Sequence, residues 1–293
     1  MIPSPSLRRP RGACYDRRAM DRLLLTACAL VVPAAQDDAG VRGDRLVKVE
    51  ILADRAVIRP GEAFTLAAKL TVEPGWHVYW ENPGDSGMPT RLEVAAPAGF
   101  VVATPLHPAP EREVAEGDIV TFVHKGEVLF LADAKAPERP TEGSKAVFEL
   151  DASWLVCQEA CYPGAGKARL EIPFAAGTSS APANEKAFAA ARARLPRAWK
   201  ELPEARIEWS GAGEDRTLRI TVAKASALEL FPLASRTTNL VDRSTEATAD
   251  RCTLTAHLRH REEETKEGPR LEGVLVVTSA QGTAAYRLDS RPN

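Results

Sequence analysis

Residues 46–75 read LVKVEILADRAVIRPGEAFTLAAKLTVEPG. Residues 46–51 alternate apolar and polar, the pattern of a strand with one face buried. Arg59-Pro60-Gly61-Glu62 carries turn chemistry, because proline pre-sets φ and glycine tolerates a left-handed backbone. Residues 64–72 form a second short run, stopped by Glu73-Pro74-Gly75. The same unit recurs along the chain. Runs at 76–80, 91–94, 119–123, 128–132, 145–155 and 167–172 are each closed by proline, glycine or polar residues. Short strands at regular spacing predict an antiparallel β-sandwich. Strands do not alternate with helical segments, which argues against a parallel α/β sheet.

Beyond residue 176 the pattern changes and then returns. Residues 177–183 (GTSSAPA) are small and polar, the composition of a boundary. Residues 184–195 are alanine-rich, with Phe188, Ala191 and Leu195 on one face and Pro196 as the stop, which predicts a short helix. Further strand runs follow at 205–209, 217–222, 253–258, 271–278 and 283–288. Gly211-Ala212-Gly213 and Ala280-Gln281-Gly282 serve as hairpin turns. The charged run 259–270 reads as a solvated loop. The prediction is therefore an all-β chain of two antiparallel sandwiches, 40–176 and 198–293, joined by a linker and helix over 177–197. The helix is expected to pack between them.

The first 35 residues stand apart. Leu23 opens an apolar run of ten, LLLTACALVV, flanked by Arg17, Arg18 and Arg22 and followed by Ala34 and Ala35. That is the layout of a signal peptide, too short to span a bilayer. Met20 is a possible true start, and Leu25-Thr26-Ala27-Cys28 gives a minor lipoprotein alternative through Cys28. Both routes predict an exported, periplasmic chain. The whole sequence has 293 residues and a formal charge of −2, with 44% hydrophobic and 27% charged residues. Removing the leader takes away six arginines and two aspartates and leaves −6. That balance does not suit nucleic-acid binding, and no stretch is long enough for a membrane span. No P-loop, GxSxG or dinucleotide-binding glycine pattern is present, and no cofactor is expected.

Of the five cysteines, Cys14 and Cys28 lie in the leader region, leaving Cys157, Cys161 and Cys252. Alternation over 252–258 points Cys252 inward as a buried thiol. Chemistry concentrates in WLVCQEACYPG, residues 154–164. If Gln158-Glu159-Ala160 is a hairpin loop, Cys157 and Cys161 face each other as a cross-strand pair within disulfide reach. A bond across so tight a turn suits a redox switch. Spacing alone also admits a plain staple, or a metal held with a histidine. Glu159 between the thiols, with no basic residue in the loop, should raise their pKa values. That suits a site attacked by a partner's thiol.

The run PGWHVYWENPGDSGMP at 74–89, followed by LVCQEACYPG, resembles the amino-terminal periplasmic domain of DsbD-type thiol:disulfide interchange proteins, and within that family the ScsB-like branch. The residues carrying the resemblance are Gly75, Trp76, Tyr79, Trp80, Asn82, Pro83, Gly84, Asp85, Gly87 and Pro89, then Leu155, Val156, Cys157, Cys161 and Pro163. Leu230-Phe231-Pro232 and 271–275 extend it loosely into the second half. The resemblance implies immunoglobulin-like domains. It also implies a cysteine pair that passes reducing equivalents outside the membrane, with Cys161 forming mixed disulfides and Cys157 resolving them. Its partners would be exported thioredoxin-like proteins and a separate membrane thiol reductase, since this chain has neither membrane span nor thioredoxin-like domain.

The expected site comprises Cys157 and Cys161 as catalytic residues. Trp76, His77, Tyr79, Asn82, Asp85, Glu159 and Tyr162 are expected to shield or neighbour them. Alternation places Trp76, Val78 and Trp80 on one face and His77 and Tyr79 on the other, with Trp80 in the core. Asn82-Pro83-Gly84-Asp85 reads as a structural turn or a cap over the cysteines. Two alternatives stand beside the redox reading. One is a binding or adaptor module whose disulfide is structural. The other is copper binding, in which His77, His107 and His124 would join the cysteines.

Overall fold

The computed structural model describes residues 42–140, 145–175, 181–261 and 268–292. The leader with Cys14, Met20 and Cys28, residues 177–180 of the expected linker, and 262–267 of the charged loop lie outside the described residues.

The first part of the chain runs through β1 (Val47–Ala53), β2 (Arg55–Val57), β3 (Ala63–Val72), β4 (His77–Gly84), β5 (Arg91–Ala95) and β6 (Val101–Val102). It continues with β7 (Glu111–Ala115), β8 (Ile119–Lys125), β9 (Glu127–Lys135), β10 (Lys145–Cys157), β11 (Cys161–Pro173) and β12 (Ala181–Pro182). One sheet has the order β1-β3-β9-β6. The other runs β11-β10-β4-β8-β7, with β5 also paired to β10. All named pairings are antiparallel. Between the sheets, Phe64, Leu66, Leu70, Phe130, Phe148, Leu150 and Trp154 form a closed apolar core. β10 earns its place by strict alternation, sending Ala146, Phe148, Leu150, Ala152, Trp154 and Val156 inward.

β3 and β9 read as nearly continuous apolar runs because both of their faces are covered. Their outer face presents Ala67, Leu129 and Leu131 to Phe188 and Ala191 of α1 (Glu185–Arg194). The helix expected between the domains thus packs its buried face on the outside of the first sandwich. Arg192 fixes it there through a 2.7 Å ion pair with the buried Asp54, which also accepts the Thr65 amide. β12 lies in the boundary segment but pairs with β2, so that segment too is tied to the first sandwich.

Past the helix, backbone bonds from Arg197 to Ala285 and from Arg287 to Arg197 attach the chain to the second sandwich. That sandwich comprises β13 (Ala205–Ala212), β14 (Asp215–Ala223), β15 (Ala225–Pro232), β16 (Thr238–Ala247), β17 (Arg251–His260), β18 (Leu271–Ser279) and β19 (Gly282–Ser290). Its sheets are β13-β14-β17-β16 and β15-β18-β19. They enclose Leu218, Ile220, Leu230, Leu254 and Leu275, with Cys252 buried among them as a free thiol. The chain is all-β with one α-helix among the described residues, in the immunoglobulin-like sandwich class.

The two sandwiches meet through Trp80 and Phe122 on one side and Phe231, Val274 and Ala285 on the other. The rings of Phe122 and Phe231 lie 5.2 Å apart, nearly perpendicular. Trp80 is fully buried, but in this junction rather than in the first core that holds Val78. The expected alternation holds for Trp76 and Val78, which pack on the first core, and for Tyr79, which lies by Cys157; β4 then loses register with β8 between Tyr79 and Gly84, and Trp80 leaves the pattern.

Candidate functional site

The β10–β11 hairpin keeps one register from Lys145↔Pro173 to Cys157↔Cys161. Its tip is the exposed loop Gln158-Glu159-Ala160. The two cysteines flank that loop, 4.2 Å apart at Cα, and form a disulfide. They differ sharply in access. Cys157 is 2% exposed, beneath Tyr79, Val123 and Leu155, whereas Cys161 is exposed.

β4 crosses at the end of β10, pairing Val156 with Val78 and Cys157 with His77. Residues 77–79 are thereby carried to the disulfide. The Tyr79 hydroxyl donates to Cys157 Sγ at 3.2 Å and lies 3.8 Å from Cys161 Sγ. Burial raises the Tyr79 pKa, with the Glu113 charge adding to the effect, so the phenol remains a proton donor at neutral pH. The loop after β4 folds back over its ring. A Cβ on Gly87 would collide with the Tyr79 ring at Cε1, and Gly87 has φ +105°. Glycine is required there on both counts. Thr90 completes the closure by donating its hydroxyl to the Tyr79 carbonyl at 2.7 Å.

His77 packs edge-on to Tyr79, ring centres 5.3 Å apart. Its Nδ1 lies 3.0 Å from Glu113 Oε2, and Glu113 also meets Lys125 at 3.4 Å. Burial lowers the His77 pKa, Glu113 opposes that shift and Lys125 adds to it. Glu113 comes from the polar edge strand β7, with no local motif to announce it. Trp76 is half-buried and packs on Tyr162, ring centres 5.9 Å apart. Gly75, with φ +85°, lets the loop residue Gln158 approach within 3.1 Å of where a Cβ would stand. Glu159 is exposed at the tip.

Asn82 and Asp85 are engaged elsewhere. The Asn82 amide donates to the Pro232 carbonyl across the junction at 2.7 Å, and its side-chain oxygen accepts the Gly84 amide. Asp85 pairs with Val120 through its own amide and through Oδ2, both at 2.8 Å. They fix the start of the loop whose later residues cover Tyr79. His107 and His124 are also remote from the sulfurs. They stack 6.2 Å apart against Phe130, and burial drives both pKa values down, that of His107 to about 4. Among the described residues no three histidine, cysteine or carboxylate side chains gather as a metal site.

A β-sandwich with a half-exposed cysteine pair at a hairpin tip, sheltered by an aromatic donor, defines a class of thiol:disulfide interchange domain. Residues 44–172 match the family model described as thiol:disulfide interchange protein DsbD, N-terminal. The match spans the first sandwich, including both cysteines of the pair, and stops short of the second sandwich. Among solved structures, the N-terminal periplasmic domain of ScsB from Proteus mirabilis aligns with TM-score 0.57 at 14% identity, covering 84% of this chain and 92% of that one. The shared fold therefore extends across both sandwiches. A protein of unknown function from Porphyromonas gingivalis W83 aligns over 84% of this chain and 99% of that one, at TM-score 0.23 and 11% identity, too slight a likeness to bear on the fold. No curated protein sequence matches the chain. No helix among the described residues is long and apolar enough to cross a membrane.

Proposed function

We propose that the protein is an exported thiol–disulfide carrier that passes reducing equivalents through Cys157 and Cys161 to or from thioredoxin-like partners. The observation that carries this reading is the unequal burial of two bonded sulfurs at a hairpin tip. To load the carrier, a partner thiolate attacks the exposed Cys161 Sγ. The Cys157–Cys161 bond breaks, Cys157 leaves as a thiolate, and the Tyr79 hydroxyl is placed to stabilise it. The partner's second thiol then attacks the mixed disulfide and frees Cys161, so two electrons have entered the pair. To unload, the Cys161 thiolate attacks a disulfide of the next partner. Cys157 then attacks Cys161 Sγ, re-forming the pair and releasing that partner as a dithiol. A separate membrane thiol reductase would be the ultimate electron source.

The test is trapping. Cys157→Ala leaves the accessible cysteine without its resolving partner and should accumulate mixed disulfides with exported thioredoxin-like proteins. Cys161→Ala, which leaves only the buried thiol, should accumulate few. Absence of any mixed disulfide, together with wild type exchanging no faster than the double variant, would refute the carrier role. A measured reduction potential gives an independent answer, since structural disulfides lie below about −300 mV and exchangeable ones above.

A further inference from the structure

We propose that the cleft between the two sandwiches binds an extended peptide segment bearing a carboxylate, which adds to the free sheet edge of β16. The cleft has a volume of about 460 Å³ and is lined from the first sandwich by Arg112, Val120 and Phe122, and from the second by the unbroken run 238–243. Successive strand side chains point to opposite faces. Here six consecutive residues line one cleft, with a bulge between Leu240 and Asp242, so the cleft meets the strand along its edge rather than on one face alone. Among the described residues β16 is the end strand of its sheet and pairs only with β17; β7, which supplies Arg112, is likewise an end strand paired only with β8. An unpaired edge is a ready template for a further strand, with main-chain bonds giving affinity and side-chain pockets giving specificity.

Charge decides the kind of strand. Arg243 donates to the Leu230 carbonyl at 2.6 Å and lies over the Phe122 ring at 5.8 Å. Neither Arg243 nor Arg112 has a carboxylate within ion-pair distance among the described residues. They are near enough to repel: burial first, then the Arg112 charge, lowers the Arg243 pKa, with Glu229 and Asp85 opposing. Of the acids in the cleft wall, Asp85 is engaged by the Val120 amide and Asp242 lies 3.8 Å from His257. Two neighbouring guanidinium groups, one half-buried and both without an ion-pair partner, fit a carboxylate from outside the chain. Val120, Leu240 and the exposed Val241 offer apolar contacts to the flanking side chains of such a strand.

The probe is a fluorescein-labelled peptide of about nine residues, alternating threonine and valine around one central glutamate, with a glutamine counterpart. Anisotropy with the full chain should show the glutamate peptide binding about tenfold more tightly than the glutamine peptide, with Arg112→Glu removing that preference. Hydrogen exchange should show new protection over 238–243 when the peptide binds. A Cys157→Ala, Cys161→Ala protein should bind equally well, so failure of the redox reading and failure of this one are separable. Three results would each overturn the proposal: no binding at about 1 mM peptide, equal binding of the two peptides, or ultracentrifugation showing a second copy of the chain seated on this edge.

Discussion

Tyr79 joins the cysteine pair to the rest of the site, since its hydroxyl touches both sulfurs and its ring lies beneath Gly87. Two substitutions separate these roles. Tyr79→Phe removes a donor that favours thiolate over disulfide sulfur, so the pair should become harder to reduce. A loss of about 1 kcal/mol corresponds to a potential lower by about 20 mV, measurable by equilibration with a glutathione buffer. Gly87→Ala leaves the hydroxyl in place but drives a methyl into the ring from a backbone that disfavours alanine. It should cost about 2 kcal/mol or more in a urea melt and make Cys157 more reactive toward an alkylating reagent after reduction. At this scale the sequence was informative where chemistry is local. The Cys157–Cys161 spacing across Gln158-Glu159-Ala160 already allowed a cross-strand pair at a hairpin, the register the structure has. Glu113 was invisible because its relation to His77 depends on strand order, which no local pattern encodes.

At the scale of elements, long strands with one face buried were legible, and the end strands β7 and β16 were not. β10 and β17 alternate because one face is buried along their length. β7 (EREVA) and β16 (TNLVDRSTEA) bury little and so carry no period-two signal. The loss matters, since those two strands frame the inter-sandwich cleft. β8 and the segment before β7 also hold the His107–His124 pair, in which His107 Nδ1 and both His124 nitrogens are buried without a hydrogen-bond partner among the described residues. Both imidazoles are kept neutral, His107 with a pKa of about 4 against an ordinary 6.5. Below pH 6.5 the unfolded chain takes up protons that the folded chain refuses. Stability should therefore fall as pH drops from 6.5 toward 4, by about 3 kcal/mol for His107 alone. Urea midpoints across that range should show the acid loss, and His107→Phe with His124→Phe should flatten it. An unchanged pH profile in the double variant would locate the loss in other groups.

For the molecule as a whole, the expected division at residue 177 meets two ties across it. β12 pairs with β2, and Phe188 and Ala191 cover Ala67, Leu129 and Leu131. A chain ending at 196 should fold alone and retain an oxidisable Cys157–Cys161 pair. One ending at 176 strips the outer face of β3 and β9 and should be less stable, by about 3–5 kcal/mol for the loss of the Phe188 anchor alone, and melt at a lower temperature. Both bare Trp80 and Phe122, so tryptophan emission should shift to the red and self-association should rise. Thermal melts by circular dichroism distinguish the two ends; equal stability would remove the helix from the first folding unit.

The hairpin that carries the cysteines is held by a backbone register running unbroken to its base and by β4 alongside its tip. Neither depends on the sulfur–sulfur bond. The hairpin is therefore expected to keep its place when the pair is reduced, with amide exchange over 145–157 and 161–173 the same in both redox forms. For the carrier proposed above, that leaves a partner nearly one silhouette in both redox forms, and the sulfur itself to read.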